Sequence, residues 1–201
     1  MNYLNVQKQM QLTTDIKNCT KCGLYKLMPT GCKPVPGIGP LTATIMVVPE
    51  ALGKDESILE EPLVGQCGQL FNKIIKEAGL NREDLFIANV VRCRPTETGA
   101  KNRPPSKDEI NACKGWLFEE ITVVKPRIIV AMGKVAVSTL IPGLKKTFAL
   151  GPMCGQLYTV DYTSAKIVPM MHPSWLLQYG KNELQKTIDE FKMVKVLSET
   201  K

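Results

Sequence analysis

The stretch PRIIVAMG (126–133) decides the fold class. Its apolar, β-branched run is bounded by a proline and a glycine, which predicts a buried strand that leads into a helix ending near Leu140. Similar short apolar runs predict the other strands, at TIMVVPE (44–50), DLFIANVV (84–91), QLYTV (156–160) and AKIVPMM (165–171).

Helical patterns separate most of these strands. In the one at 106–123, Ser106 stands at the N-cap position and Glu109 three residues later, which is the spacing of a capping box. Strands that alternate with helices predict an α/β fold, in which a central, mostly parallel sheet of four or five strands lies between two helical layers (α/β/α). The other predicted helices are 3–18, 65–78 and 182–197.

Length and composition suit one domain over residues 1–201, because 44% of the chain is hydrophobic. The formal net charge of +7 favours a polyanionic partner, most commonly nucleic acid, although charge alone also fits a merely soluble basic protein. No stretch approaches the ~20 apolar residues that span a bilayer. The N-terminal MNYLNVQKQMQL has no apolar signal region. We therefore expect a cytoplasmic protein with reduced thiols and no membrane partner.

Four of the seven cysteines form a pattern typical of a metal site. Cys19 and Cys22 make a CxxC, and Cys93 and Cys113 follow at a distance. Two thiolates on one turn and two distant ones can close a four-sulfur site around iron–sulfur or zinc. Such a site would tie the N-terminus to the middle of the chain. The remaining cysteines are interpreted as structural or incidental: Cys32, Cys67 and Cys154.

Polar residues follow three of the predicted strands. Glu50, Asn89 and His172 each stand just beyond or at the end of an apolar run. Because ligands of open α/β sheets bind at the carboxyl ends of the strands, we expect these three side chains to meet.

Three sequence blocks, in this order, carry a family resemblance: PEALGKDESILEEPLVGQCG (49–68), NVVRCRP (89–95) with the downstream NRPP (102–105), and HPSWLL (172–177). Together with the four cysteines they resemble the iron–sulfur uracil-DNA glycosylases. The resemblance implies a uracil-DNA glycosylase-like domain with an N-terminal helix and an iron–sulfur cluster loop. It also implies a hydrolase of N-glycosyl bonds that flips its target base out of DNA and acts as a monomer.

By this resemblance, Cys19, Cys22, Cys93 and Cys113 hold a 4Fe–4S cluster. Four thiolates also suit zinc, which remains the alternative cofactor. The segment between Cys93 and Cys113 is a few residues longer than the family pattern, with the extra residues around TETGAK (96–101).

The resemblance assigns catalytic roles to three side chains. His172, the single histidine of the chain, donates a hydrogen bond to the pyrimidine O2 as the base departs. Glu50 helps to hold the attacking water, and Glu56 is the trailing acid of the same motif. The other polar residues of this acidic stretch are interpreted as a solvated loop: Asp55, Ser57, Glu60 and Glu61.

The base pocket is assigned to Ala51, Gly53, Leu63 and Asn89, with Asn89 reading the base edge. Leu63 replaces a Phe that stacks on uracil in the family, and Gly53 stands where mammalian-type enzymes carry a Tyr that excludes 5-substituted pyrimidines. These two positions predict a roomier pocket. We therefore expect excision of a bulkier, 5-substituted pyrimidine of the kind found in phage DNA, as in a defence function. Ordinary uracil excision in base excision repair is the alternative, and an inactive iron–sulfur DNA-binding module is a third.

DNA contacts are predicted around the third block. Leu176 or Leu177, beside Trp175, is the candidate wedge that fills the gap left by the flipped base. Ser174 and the Gly/Pro loop at 36–40, including Pro36 and Gly37, are predicted to bind phosphates through backbone N–H groups. The predicted electrostatic contacts are Lys33, Lys101 and Arg103.

Overall fold

Five short strands form one sheet in the computed structural model, which describes residues 3–145 and 147–200. The sheet order is β2-β1-β3-β5-β4, and every neighbouring pair is parallel except the β4–β5 hairpin. Apolar residues fill the central strands because helices cover both faces of the sheet. The strands are β1 (Ile45–Val48), β2 (Leu85–Ile87), β3 (Ile128–Met132), β4 (Tyr158–Val160) and β5 (Thr163–Met170).

The helices pack in two layers, one on each face of the sheet. α1 packs on α4 on one side, and α3 packs on α6 and α7 on the other. The described helices are α1 (Tyr3–Lys17), α2 (Lys54–Leu59), α3 (Gln66–Glu77), α4 (Lys107–Val124), α5 (Lys134–Leu140), α6 (Pro173–Gln178) and α7 (Leu184–Glu199). The predicted three-layer α/β/α architecture is thus confirmed, as is the capping box of Ser106 and Glu109 at the start of α4.

Alternate residues of the strands supply two separate cores. In β1, Met46 and Val48 face the core that contains Leu117 of α4. Ile45 and Val47 face the opposite core, which α3 and α7 complete. This alternation follows from the two-residue period of a strand, and it leaves polar positions for the strand ends.

The acidic stretch after β1 differs from its prediction. It forms the helix α2 rather than a solvated loop, and Ser57 is fully buried with its hydroxyl donating to the Lys54 carbonyl at 2.7 Å. Glu60 is half-buried and accepts the backbone N–H of Lys33 at 2.8 Å, and Glu61 pairs with Arg82 at 3.2 Å. Asp55 is exposed, as predicted.

The chain beyond β2 runs beside the chain beyond β1. Backbone N–H groups of Val90 and Val91 donate to the carbonyls of Pro49 and Glu50, both at 3.0 Å. This pairing brings the first two sequence blocks together at the carboxyl edge of the sheet. None of the helices in residues 3–145 and 147–200 has the length and apolar character needed to cross a bilayer.

Candidate active site and four-cysteine site

A cleft of about 900 Å³ opens at the carboxyl ends of the strands. Glu50, two residues beyond β1, and His172, two residues beyond β5, both line it. Asn89 lies on the neighbouring segment but is only 2% exposed and is not part of the lining. Two of the three polar residues predicted to converge therefore face the cleft directly.

His172 is held in one tautomer by its own helix. It is the N-cap of α6, and its Nδ1 accepts the backbone N–H of Ser174 at 3.2 Å. An accepting Nδ1 places the proton of a neutral ring on Nε2. Desolvation lowers the pKa of His172 to about 4, so the ring is neutral at pH 7 and carries one N–H donor.

Gly133 lets this imidazole approach β3. A Cβ built at position 133 would stand 3.2 Å from the Cβ of His172, and the backbone there has φ +88°. Any larger residue would be strained in that conformation and would press on the histidine. Gly133, which ends the predicted strand PRIIVAMG, therefore also positions His172, the candidate catalytic residue.

The two acids of the first block both line the cleft but differ in their contacts. Burial raises the pKa of the half-buried Glu50 carboxyl, which faces the cleft. Glu56 is 7% exposed, and its Oε1 accepts the backbone N–H groups of Val64 at 3.2 Å and Gly65 at 2.9 Å. Glu56 thus fixes the turn that leads into α3, which is a positioning contact.

The wall expected to select the base is formed by the residues just before α2 and by the turn after it. Ala51, Gly53 and Leu63 all line the cleft, as the sequence predicts. Leu63 is 4% exposed and adopts a left-handed backbone conformation with φ +52°. A Cβ at position 53 would collide with the Glu56 carboxylate, so this wall has no space for a side chain unless Glu56 moves.

The four predicted ligand cysteines meet at a second site. One small pocket is lined by Cys19, Cys22, Cys93 and Cys113 together with neighbouring residues. Two N–H groups donate to sulfur: the backbone of Arg92 to Cys113 at 3.2 Å, and the Trp116 indole to Cys19 at 3.4 Å. Burial and the neighbouring thiols raise the pKa of Cys93, so a bound cation would be needed to ionise these sulfurs together.

Within the described ranges, no set of three or more His, Cys, Asp or Glu side chains is arranged to hold a metal ion. Sulfurs that share one zinc ion at about 2.3 Å must lie within about 4 Å of one another. In a four-iron cluster each thiolate binds a different iron, so the sulfurs stand farther apart.

Sequence comparison with known proteins points to one family. The family model of the Uracil DNA glycosylase superfamily matches residues 36–193. The chain belongs to this superfamily. It is 34% identical over 186 residues to the type-4 uracil-DNA glycosylase of Thermotoga maritima, covering 92% of this chain and 91% of the relative. The corresponding protein of Saccharolobus solfataricus is 36% identical over 189 residues, covering 92% and 83%. The chain is thus an iron–sulfur-type DNA glycosylase, a hydrolase of N-glycosyl bonds whose substrate is DNA.

The third block lies at the border of the cleft. Ser174 and Trp175 line the cleft, and the Ser174 hydroxyl lies 2.8 Å from Nδ1 of His172. Leu176 is 3% exposed and packs in the core with α3 and α7, whereas Leu177 is 44% exposed. Leu177 is therefore the member of the predicted wedge pair whose side chain is on the surface.

The prediction that Pro36 and Gly37 of the Gly/Pro loop bind phosphate is wrong. Pro36 and Gly37 are buried, and the Gly37 N–H donates to Glu120 at 2.8 Å. Glu120 is also the partner of the buried Arg92, at 2.6 Å. The Gly37 N–H is committed to this ion pair, and proline has no N–H to offer. The loop instead pairs with β2 through Ile38.

Arg103 lines the cleft, but its charge is already matched. Its guanidinium makes two contacts to Glu109, at 2.8 and 2.6 Å. Lys33 and Lys101 are exposed. The sequence interpretation missed Lys134, an exposed residue at the start of α5 that lines the cleft. The sequence signal for this residue is the pair Gly133 and Lys134 immediately after β3.

Proposed function

We propose that this glycosylase removes uracil from DNA and leaves an abasic site. The supporting observation is the pair of His172 and Glu50 in one cleft, with the histidine neutral and its Nε2 carrying the proton. The relatives' names supply the base, since both are type-4 uracil-DNA glycosylases. A donor with this geometry suits a leaving group that gains negative charge.

His172 would act on the departing base. As the glycosidic bond breaks, negative charge accumulates on the pyrimidine, and the Nε2–H donates to its O2. A neutral imidazole is a suitable donor because it gives a hydrogen bond without giving up its proton. Glu50 would orient the attacking water and stabilise the cationic sugar, which requires its carboxyl to be ionised.

The four cysteines would hold a 4Fe–4S cluster. Their donor set fits, because four thiols line one buried pocket and two N–H groups already point at sulfur. When bound, the cluster supplies a covalent anchor for the chain. The cysteines that would hold it lie at the end of α1, in the segment after β2 and in the first turns of α4.

A second candidate substrate is a 5-substituted pyrimidine. It is favoured by Leu63, which offers no aromatic face to the base, and by Gly53, which projects no side chain into the cleft. Stacking on an aromatic ring contributes ~1–3 kcal/mol per base in single-strand binders. Without it, selection for plain uracil weakens, and a bulkier base is tolerated.

Incubation with DNA that carries single modified bases tests the function. The wild-type protein is incubated with duplexes that contain uracil, 5-hydroxymethyluracil or thymine, and abasic sites are revealed by alkali. Cleavage at uracil supports the primary proposal, and equal or faster cleavage at 5-hydroxymethyluracil supports the second candidate. Failure to cleave either duplex, with iron bound, contradicts both.

The pH dependence of the rate should have one acidic limb set by Glu50. Burial raises the Glu50 pKa, so the carboxylate becomes protonated and the rate falls as pH drops through a value above the ordinary 4.5. His172 stays neutral down to pH about 4 and adds no limb at neutral pH. Single-turnover rates from pH 4 to 8 measure this. Glu50→Gln should be slow and flat over that range, and an unchanged acidic limb in this variant would assign it elsewhere.

Leu177→Ala should slow excision from duplex DNA about tenfold and leave single-stranded DNA nearly unaffected. The wedge offsets part of the cost of unstacking, a few kcal/mol, and single strands do not require it. Leu157→Ala is the matched control, since Leu157 is 48% exposed and does not line the cleft. Equal losses on both kinds of DNA would argue against a wedge.

A further inference from the structure

The loop between two cysteine ligands forms one wall of the cleft. Four residues of the segment between Cys93 and Cys113 belong to the lining: Pro95, Asn102, Arg103 and Pro104. The same cleft is lined by the catalytic candidates Glu50 and His172. The loop is therefore placed to contact whatever the cleft binds.

Arg94 holds this loop in one conformation. Its side chain is nearly buried and makes three contacts within the loop: Nε to Asn102 Oδ1 at 2.5 Å, Nη1 to the Gly99 carbonyl at 2.8 Å, and Nη2 to the Ala100 carbonyl at 3.3 Å. Thr96, fully buried, accepts the Gly99 N–H at 2.9 Å. The TETGAK segment (96–101) is thus folded around the Arg94 guanidinium.

The contact with Arg94 also fixes the orientation of the Asn102 amide. A guanidinium can only donate, so the atom that faces it must be the amide oxygen. The nitrogen Nδ2 then points the other way, 3.8 Å from where a Cβ on Gly53 would stand. Within the described residues Nδ2 has no hydrogen-bond acceptor. A free N–H₂ group is therefore presented to the cleft beside Gly53, a lining position without a side chain.

We propose that Asn102 selects the base by donating a hydrogen bond from Nδ2 to an exocyclic oxygen of the extrahelical pyrimidine. This inference rests on the proposed function. Two oxygens fit a donor at this place: the O4 carbonyl of the ring, and the oxygen of a 5-substituent that lies in the cleft beside Gly53. The Glu56 carboxylate lies on the same side of Gly53, so a hydroxyl there could donate to Glu56 while it accepts from Asn102.

Asn102→Asp separates the selecting role from the structural one. An aspartate keeps the oxygen that accepts from Arg94 and replaces the donor in the cleft with an acceptor. Asn72→Asp is the matched control, because the exposed Asn72 also accepts from an arginine, Arg82, at 3.1 Å and does not line the cleft. Iron content and the melting temperature should match between the two variants.

The expected result is a fall of about tenfold or more in kcat/KM for Asn102→Asp, with Asn72→Asp close to wild type. Loss on both uracil and 5-hydroxymethyluracil identifies O4 as the acceptor, and loss on 5-hydroxymethyluracil alone identifies the substituent oxygen. Asn102→Ala, which adds no charge, should show the same pattern of loss even if it lowers the melting temperature.

Two outcomes would overturn the proposal. One is an unchanged kcat/KM for both bases in Asn102→Asp. The other is an equal loss of affinity for undamaged DNA, which would mean that Asn102 contacts phosphate instead of the base. If the wild-type protein excises neither base, the proposed function itself fails. The wild-type reactions alone show this, without any comparison of variants.

Discussion

His172→Ala is expected to slow base excision about 100- to 1000-fold, the usual cost of removing one preorganised donor from an anionic transition state. The ring contributes a single Nε2–H, because Nδ1 is occupied by the backbone N–H of Ser174. DNA affinity should be retained, since the ring is neutral and contributes no charge to phosphate binding. Single-turnover excision and fluorescence-anisotropy binding measure the two quantities.

Ser174→Ala is the matched control for this histidine. It removes the hydroxyl 2.8 Å from Nδ1 but leaves the backbone N–H that fixes the tautomer. A much smaller loss is therefore expected. If His172→Ala lost less than tenfold, or lost binding in proportion to rate, the role of His172 as the donor to the departing base would have to be abandoned.

Cys93→Ser is expected to abolish iron binding and to lower the free energy of unfolding by more than about 4 kcal/mol, as for other losses of a structural metal group. The proposed site connects the end of α1 to the middle of the chain. We expect that the three remaining thiolates cannot preserve its geometry. Iron content, the visible thiolate–iron absorption and the melting temperature of the purified protein measure the effect.

Cys32→Ser provides the comparison for the ligand variant. Cys32 is half-buried, and its thiol makes only a long contact of 3.9 Å to the Ile58 carbonyl. This variant should keep its iron and most of its stability. Full iron content in Cys93→Ser, or equal iron loss in both variants, would remove Cys93 from the ligand set.

The strands and most helices could be predicted because their signals are local. PRIIVAMG carries a buried strand, its terminating glycine and the approach site for His172 in eight residues. The helix α2 was missed because its exposed acids resemble a loop, while the burial of Ser57 depends on packing that no local pattern records. Propensity within six residues is a weak signal against such tertiary contacts.

Site residues could be predicted where they belong to a recognisable motif. They could not be predicted where a partner far away in the sequence determines which hydrogen bond a residue makes. Glu50 and His172 line the cleft as expected from their strand ends. Gly37 could not be judged from sequence, since its N–H is taken by Glu120, 83 positions away. The orientation of Asn102 likewise depends on Arg94, whose side chain only the folded loop brings to it.

The segment bounded by Cys93 and Cys113 has one further consequence. Its two ends are proposed ligands of the cluster, and its middle borders the cleft in which a base would sit. Damage to the iron centre by oxidants would release both ends at once and let the wall relax. Fidelity toward the lesion is therefore expected to decline under oxidative stress before the protein as a whole is lost, which couples the cell's iron supply to the accuracy of its DNA repair.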